Sequence, residues 1–278
     1  MKRPQERPSD ATRSGQPDRG ALRNGMPYLR AGSGSPLVYL PGIAGGNRPA
    51  NALGRRIQGG QIALLARHHE VWWIGHRPGL PPDSDIAAVA AEYADALRHR
   101  FGSAVDVIGV STGGSIALQL AADHPEVVNR LVVVSSAYRL GPSGRLAQQR
   151  TGALLRAGRP QRAAAELMSL LGRNWVERNA MTVAGLMLGP IVVGKDDPNL
   201  LVLLDAEDEF DLHGRLPEIT APTLVLGGDS DGFYPESLFR ETALRIRSAR
   251  LVLYRGVGHM TTHGNHRLAA DVRAFLDG

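Results

Sequence analysis

The 278-residue sequence contains no cysteine, so disulfides and thiolate metal sites are excluded and nothing argues for an oxidising compartment. Lysine is nearly missing too. Lys2 and Lys195 are the only two, arginine carries the remaining positive charge, and the imbalance reads as the codon bias of a GC-rich genome. Aromatic residues make up only 5%, and they are not interleaved with a basic stripe of the kind that binds nucleic acid. No apolar run approaches the roughly 18 residues of a membrane span. No GxxxxGK(S/T) phosphate loop and no strand-linked GxGxxG occurs, which argues against nucleotide binding.

The net charge of +5 is unevenly placed. Residues 1–30 carry +4 of it, so the rest of the chain is close to neutral. Residues 1–22 are rich in Pro, Arg, Asp, Ser and Gly without an apolar run, a composition that reads as a disordered tail. They lack the apolar core of a secretory signal, so a cytoplasmic protein without membrane or nucleic-acid partners is expected. Hydrophobic residues at 43% suffice for one α/β domain with an insertion.

Short apolar, β-rich runs recur at 37–40 (LVYL), 71–74 (VWWI), 105–110 (VDVIGV), 131–135 (LVVVS), 223–226 (TLVL) and 251–254 (LVLY). Near-continuous apolar runs of this length suit strands buried on both faces, as in a parallel sheet. The intervening segments carry helical spacing. In 85–98, Ile86, Val89, Ala90, Tyr93 and Leu97 form one stripe, with Asp83 or Ser84 as the expected cap. Residues 112–124 and 267–276 read as further helices. Strands alternating with helices predict an α/β fold with a mostly parallel central sheet flanked by helices. From about 139 to 211 the alternation stops. Helical patterns near 144–157, 160–171 and 175–188, and another opened by Asp196-Asp197-Pro198, predict an inserted helical cap. The core is then 23–138 plus 212–278.

The strongest local signal is Gly109-Val110-Ser111-Thr112-Gly113, a G-x-S-x-G pattern between a predicted strand and a predicted helix. A strand that turns sharply into a helix exposes the serine at the corner, and the flanking glycines let the two elements approach. A serine hydroxyl needs a base within hydrogen-bond reach, and the base needs a group to fix its tautomer. Two later strand ends supply candidates. Gly227-Gly228-Asp229-Ser230-Asp231-Gly232 follows TLVL, and Gly256-Val257-Gly258-His259 follows LVLY. The order Ser111, then Asp229 or Asp231, then His259 suits nucleophilic acyl transfer.

These segments together resemble the α/β-hydrolase family, in its cap-bearing branch of esterases, C–C bond hydrolases, lactonases and cofactor-free haloperoxidase-like enzymes. The resemblance covers residues 25–278. It includes Leu40-Pro41-Gly42-Ile43, His76-Arg77-Pro78-Gly79, the stretch LPEITAPT at 216–223, the Gly228-x-x-Asp231 loop and Gly258-His259. It implies Ser111 as nucleophile, His259 as base and Asp231 as acid, since Asp231 holds the acid position of the family's G-x-x-D loop. It also implies an oxyanion hole from the backbone N–H groups of Thr112 and Ile43. The family commonly has His-Gly where this chain has Pro41-Gly42, which bears on the second donor. No metal or other cofactor is expected.

The expected reaction is hydrolysis of a small, fairly apolar ester, thioester or lactone through an acyl-enzyme. C–C bond hydrolysis or perhydrolysis on the same triad is the alternative within enzymes, and a low-turnover ligand receptor is the alternative outside them. His68 and His69 read as solvated. His259 and His263 are four apart, but Met260 stands where a zinc protease has glutamate. Met168, Leu171, Trp175, Met181, Met187 and Leu188 read as core of the insertion or as lining of an acyl pocket.

Overall fold

The computed structural model describes residues 18–43, 59–192 and 199–278. Its strands are β1 (Asp18–Ala21), β2 (Pro27–Ala31), β3 (Pro36–Leu40), β4 (Glu70–Ile74), β5 (Val105–Val110), β6 (Val128–Val134), β7 (Thr223–Gly228) and β8 (Ala249–Tyr254). They form one eight-stranded sheet in the order β1-β2-β4-β3-β5-β6-β7-β8. β1 with β2 and β2 with β4 are antiparallel, and every pair from β4–β3 to β7–β8 is parallel.

Side-chain alternation along the strands explains why the apolar runs are continuous. Val105 and Val107 of β5, Leu131 and Val133 of β6, and Val225 of β7 enter one core. Ile108 and Val110, Val132 and Val134, and Leu224 and Leu226 enter the other. Both faces are dry, so both phases of the strand period are mostly apolar, the exception in β5 being Asp106, whose buried carboxylate accepts from Asn129 Nδ2 at 2.7 Å. The first core is closed by α1 (Ile86–Phe101) and α2 (Thr112–Asp123), the second in part by the C-terminal helix α9 (Leu268–Leu276), whose Val272, Phe275 and Leu276 are buried there.

The start of α1 corrects the expected cap. Asp85, not Asp83 or Ser84, is the N-cap, and its side chain accepts a 2.7 Å hydrogen bond from the Ala88 N–H. Gly102 closes the helix at φ 70°, a left-handed conformation that costs glycine little. The sheet also begins earlier than the composition implies. Asp18–Ala21, assigned by sequence to the tail, pairs with β2. Residues 1–17 lie outside the described residues. His69, read from sequence as solvated, is buried.

Between β6 and β7 the chain forms α3 (Pro142–Arg156), α4 (Pro160–Ser169), α5 (Trp175–Val192) and α6 (Asn199–Glu209), with no strand among the described residues of this stretch. Residues 196–198 lie outside the described set. α4 and α5 cross closely because α5 presents Gly185 and Gly189. A Cβ on either would come within 2.5 Å of the α4 backbone, at Ala165 and Gln161. Trp175 and Met187 are 74% and 78% exposed, and Leu188 is exposed too, so they are not core. No helix among the described residues is long and apolar enough to cross a membrane. Two further helices, α7 (Glu236–Arg245) and the short α8 (His259–His263), lie between β7 and β8 and after β8.

The cap correction is testable. Asp85→Ala is expected to lower stability by about 1 kcal/mol in urea unfolding, the usual worth of an N-cap. Asp83→Ala and Ser84→Ala are expected to stay within about 0.5 kcal/mol of the parent.

Candidate active site

Ser111 sits between β5 and α2 with φ 54° and ψ −125°, a backbone conformation that a non-glycine residue rarely adopts. The flanking glycines explain how the corner forms. A Cβ on Gly109 would lie 2.3 Å from the Gly113 carbonyl oxygen, and one on Gly113 would lie 2.2 Å from the Leu40 carbonyl oxygen. A Cβ on Gly114 would meet Ser136 at 2.4 Å. No larger residue fits at these positions while α2 stays pressed against β5, β3 and the end of β6. Within the corner, the Ser111 N–H donates to the Val134 carbonyl at 2.9 Å, and the Gly114 N–H donates to the Ser111 carbonyl at 2.6 Å.

Parallel neighbours end at the same side of a sheet, so the loops after β7 and β8 rise beside this corner. His259 lies at the start of α8, and its Nε2 is 3.0 Å from Ser111 Oγ. Its Nδ1 is 2.8 Å from Asp231 Oδ2. A carboxylate can only accept, so Nδ1 carries the proton and Nε2 presents its lone pair to the serine hydroxyl. The other oxygen of Asp231 accepts from the backbone N–H groups of Phe233 at 2.8 Å and Tyr234 at 3.1 Å. Both His259 and Asp231 are buried. Three residues predicted from widely separated motifs are therefore brought together.

The two candidate acids are placed differently. Asp229 is exposed and accepts from the Gly256 N–H at 2.8 Å, which ties the β7 loop to the β8 loop without reaching the imidazole. The imidazole itself is held by rings. Phe233 lies 4.7 Å from it, and Tyr234 stacks at 6.0 Å with an interplanar angle of 16°. His263 meets it edge-on at 5.7 Å. Burial, reinforced by neighbouring His259, pushes the His263 imidazole down to about 3.

Thr112 opens α2, where the first N–H groups have no intrahelical acceptor and the helix dipole is positive. Gly42 packs on Ser111, since a Cβ there would be 3.2 Å from Ser111 Cβ. Ile43 follows it, and its side chain packs against a small apolar cluster of Ala164, Leu200 and Leu204 in the insertion. Missing from the sequence reading is Glu207 near the end of α6. It is 1% exposed and accepts hydrogen bonds from Thr112 Oγ1 at 2.7 Å, Ser115 Oγ at 3.1 Å, Gln148 Nε2 at 2.9 Å and Tyr234 Oη at 2.9 Å. Its sequence signal is weak, because it is one of four acids in the last five residues of a helix that is otherwise rich in leucine.

The family model described as "Alpha/beta hydrolase family" matches residues 37–272. A Yersinia enterocolitica protein named "Putative carbamate hydrolase RutD" is 31% identical over 182 residues, which cover 63% of this chain and 66% of that one. A hydrolase from Pseudomonas aeruginosa, 23% identical, superposes with a TM-score of 0.73 over 96% of this chain and 100% of its own. The enol-lactonase from Burkholderia xenovorans, 21% identical, gives 0.73 over 94% and 100%.

The corner and its histidine environment each generate an expectation. Gly113→Ala forces a Cβ onto two backbone carbonyls and is expected to cost about 1–3 kcal/mol in urea unfolding. Gly214→Ala, in open space, is expected to stay within about 0.5 kcal/mol. Between about 3 and the ordinary 6.5, the unfolded His263 binds a proton that the folded one refuses. This group's contribution to stability is therefore full above pH 6.5 and falls as pH drops below it. His263→Gln is expected to lose less stability than the parent between pH 7 and pH 5, measured by unfolding at both.

Proposed function

Because the chain belongs to the alpha/beta hydrolase family, we propose that it is a serine hydrolase cleaving a small, fairly apolar ester, thioester or lactone through an acyl-enzyme. The observation that carries this reading is the unbroken line of hydrogen bonds from Asp231 through His259 to the Ser111 hydroxyl, at 2.8 and 3.0 Å. Ser111 Oγ attacks the substrate carbonyl while His259 Nε2 takes its proton. Asp231 holds the ring in the reactive tautomer and stabilises the imidazolium. The tetrahedral intermediate collapses as His259 returns the proton to the leaving group. Water then attacks the acyl-enzyme, with His259 again as base, and frees Ser111.

In this reading the Thr112 and Ile43 N–H groups stabilise the negative oxygen of the tetrahedral intermediate. The position of Thr112 at the first turn of α2 and the packing of Gly42 on Ser111 support that assignment. The helices between β6 and β7 act as the cap over this site. The relatives lend support of a general kind. A carbamate and an enol-lactone, named for the Yersinia and Burkholderia proteins, are both carbonyl compounds open to acyl transfer.

Labelling with a fluorophosphonate followed by peptide mapping is expected to place the modification on Ser111. Ser111→Ala is expected to lose labelling and about 10⁶-fold in kcat on an aryl ester. Asp231→Asn, which favours the wrong tautomer, is expected to lose about 10⁴-fold, whereas Asp229→Asn is expected to stay within about threefold because its carboxylate does not reach the ring. Full activity in Ser111→Ala would discard the mechanism.

A further inference from the structure

We propose that Glu207 is a positioning residue, through which the helical insertion holds both the nucleophile corner and the His259 ring in place. The inference rests on the serine-hydrolase reading above. One buried carboxylate collects four donors from three separate parts of the chain. Thr112 and Ser115 come from the first turns of α2, Gln148 from α3, and Tyr234 from the loop after β7. Each oxygen takes two of them. Oε2 accepts from Thr112 and Gln148, and Oε1 accepts from Ser115 and Tyr234.

All four donors are neutral, which makes the arrangement unusual for a buried acid. A carboxylate out of water is costly, and a leucine at this helical position would spare that cost. The charge is offset by four charge-assisted hydrogen bonds and by the positive end of α2. Burial and the nearby Glu207 charge also push the Tyr234 hydroxyl well above its ordinary value, which keeps it a donor.

Three of the four donors lead directly to the reacting groups, and Gln148 anchors the carboxylate to α3. Thr112 is the residue after Ser111 and carries one of the two assigned oxyanion N–H groups. Ser115 donates its own N–H to the Ser111 carbonyl at 3.2 Å. The Tyr234 ring stacks on His259, and its N–H is bonded to Asp231. Displacement of Glu207 therefore moves the nucleophile corner and the base together. An error of about 1 Å in such a constellation costs on the order of 10²-fold in rate.

The test uses the full chain, with fluorophosphonate labelling at Ser111, kcat and KM on an aryl ester, and a melting curve for each variant. Glu207→Gln keeps the shape but turns an N–H₂ toward two donors. It is expected to lower kcat by about 10- to 100-fold with KM within about threefold of the parent. Tyr234→Phe, which keeps the ring over His259, and Thr112→Val are expected to lower kcat less. Their effects should not add to that of Glu207→Gln, because the residues act as one network. If Glu207→Gln does not fold, Tyr234→Phe and Thr112→Val decide the matter. The proposal is overturned if the folded variants keep kcat within about twofold, if the losses appear in KM alone, or if the double variants are additive. A parent protein that is not labelled at Ser111 overturns the hydrolase reading itself, and the role of Glu207 falls with it.

Discussion

The close contact between β5 and α2 at Ser111 is the constraint around which the site is organised. A non-glycine residue at φ 54° stores strain of about 1–3 kcal/mol. The surroundings leave it no alternative. The corner is hydrogen-bonded to β6 on one side and to its own helix on the other. Gly109, Gly113 and Gly114 are the absence of side chains that this geometry requires. Once the corner is fixed, parallel pairing of β6, β7 and β8 brings the other two loops to the same sheet end.

Those loops are not free-standing. The segment carrying Asp231 is wedged against the insertion on two sides. A Cβ on Gly232 would meet the Leu170 carbonyl at 2.4 Å, and one on Gly141 would meet the Phe233 carbonyl at 2.8 Å. The loop carrying His259 is tied to the insertion by Arg173, which donates to the Gly256 carbonyl at 3.0 Å. Glu207 adds a third tie, to α2 itself. The insertion thus braces all three loops from outside the sheet, so its packing and the site's geometry are one problem.

Much of this was legible in the residues alone, for identifiable reasons. The strands from β3 to β7 announce themselves because both of their faces are largely dry, and β8 does so by its apolar run LVLY although it is half-exposed at the sheet edge. The corner announces itself because only glycines tolerate it. β1 and β2 are harder to see. Both are short, β1 is mostly exposed and β2 mostly half-buried, and Pro27 and Gly20 disguise them as loop. Asp229 and Asp231 look alike in sequence, since only the inward turn of the chain after β7 separates the exposed acid from the buried one. Glu207 was invisible for another reason. It stands in the acidic run DAEDE between exposed Asp205 and exposed Glu209, where solvation is the natural reading. Its first partner, Thr112, is 95 residues away.

The strand that sequence composition assigned to the tail has a consequence for the edge of the sheet. A parallel sheet needs some way to end, because an unpaired row of backbone donors and acceptors invites another chain to extend it. Among the described residues the sheet turns antiparallel and ends on four residues, Asp18 to Ala21. Gly20 at its middle is shielded by the Tyr28 ring opposite, and Asp18 pairs with Arg30 at 3.0 Å. Among the described residues, a border this short and this charged offers an incoming strand little to register on, as a selvedge does on cloth.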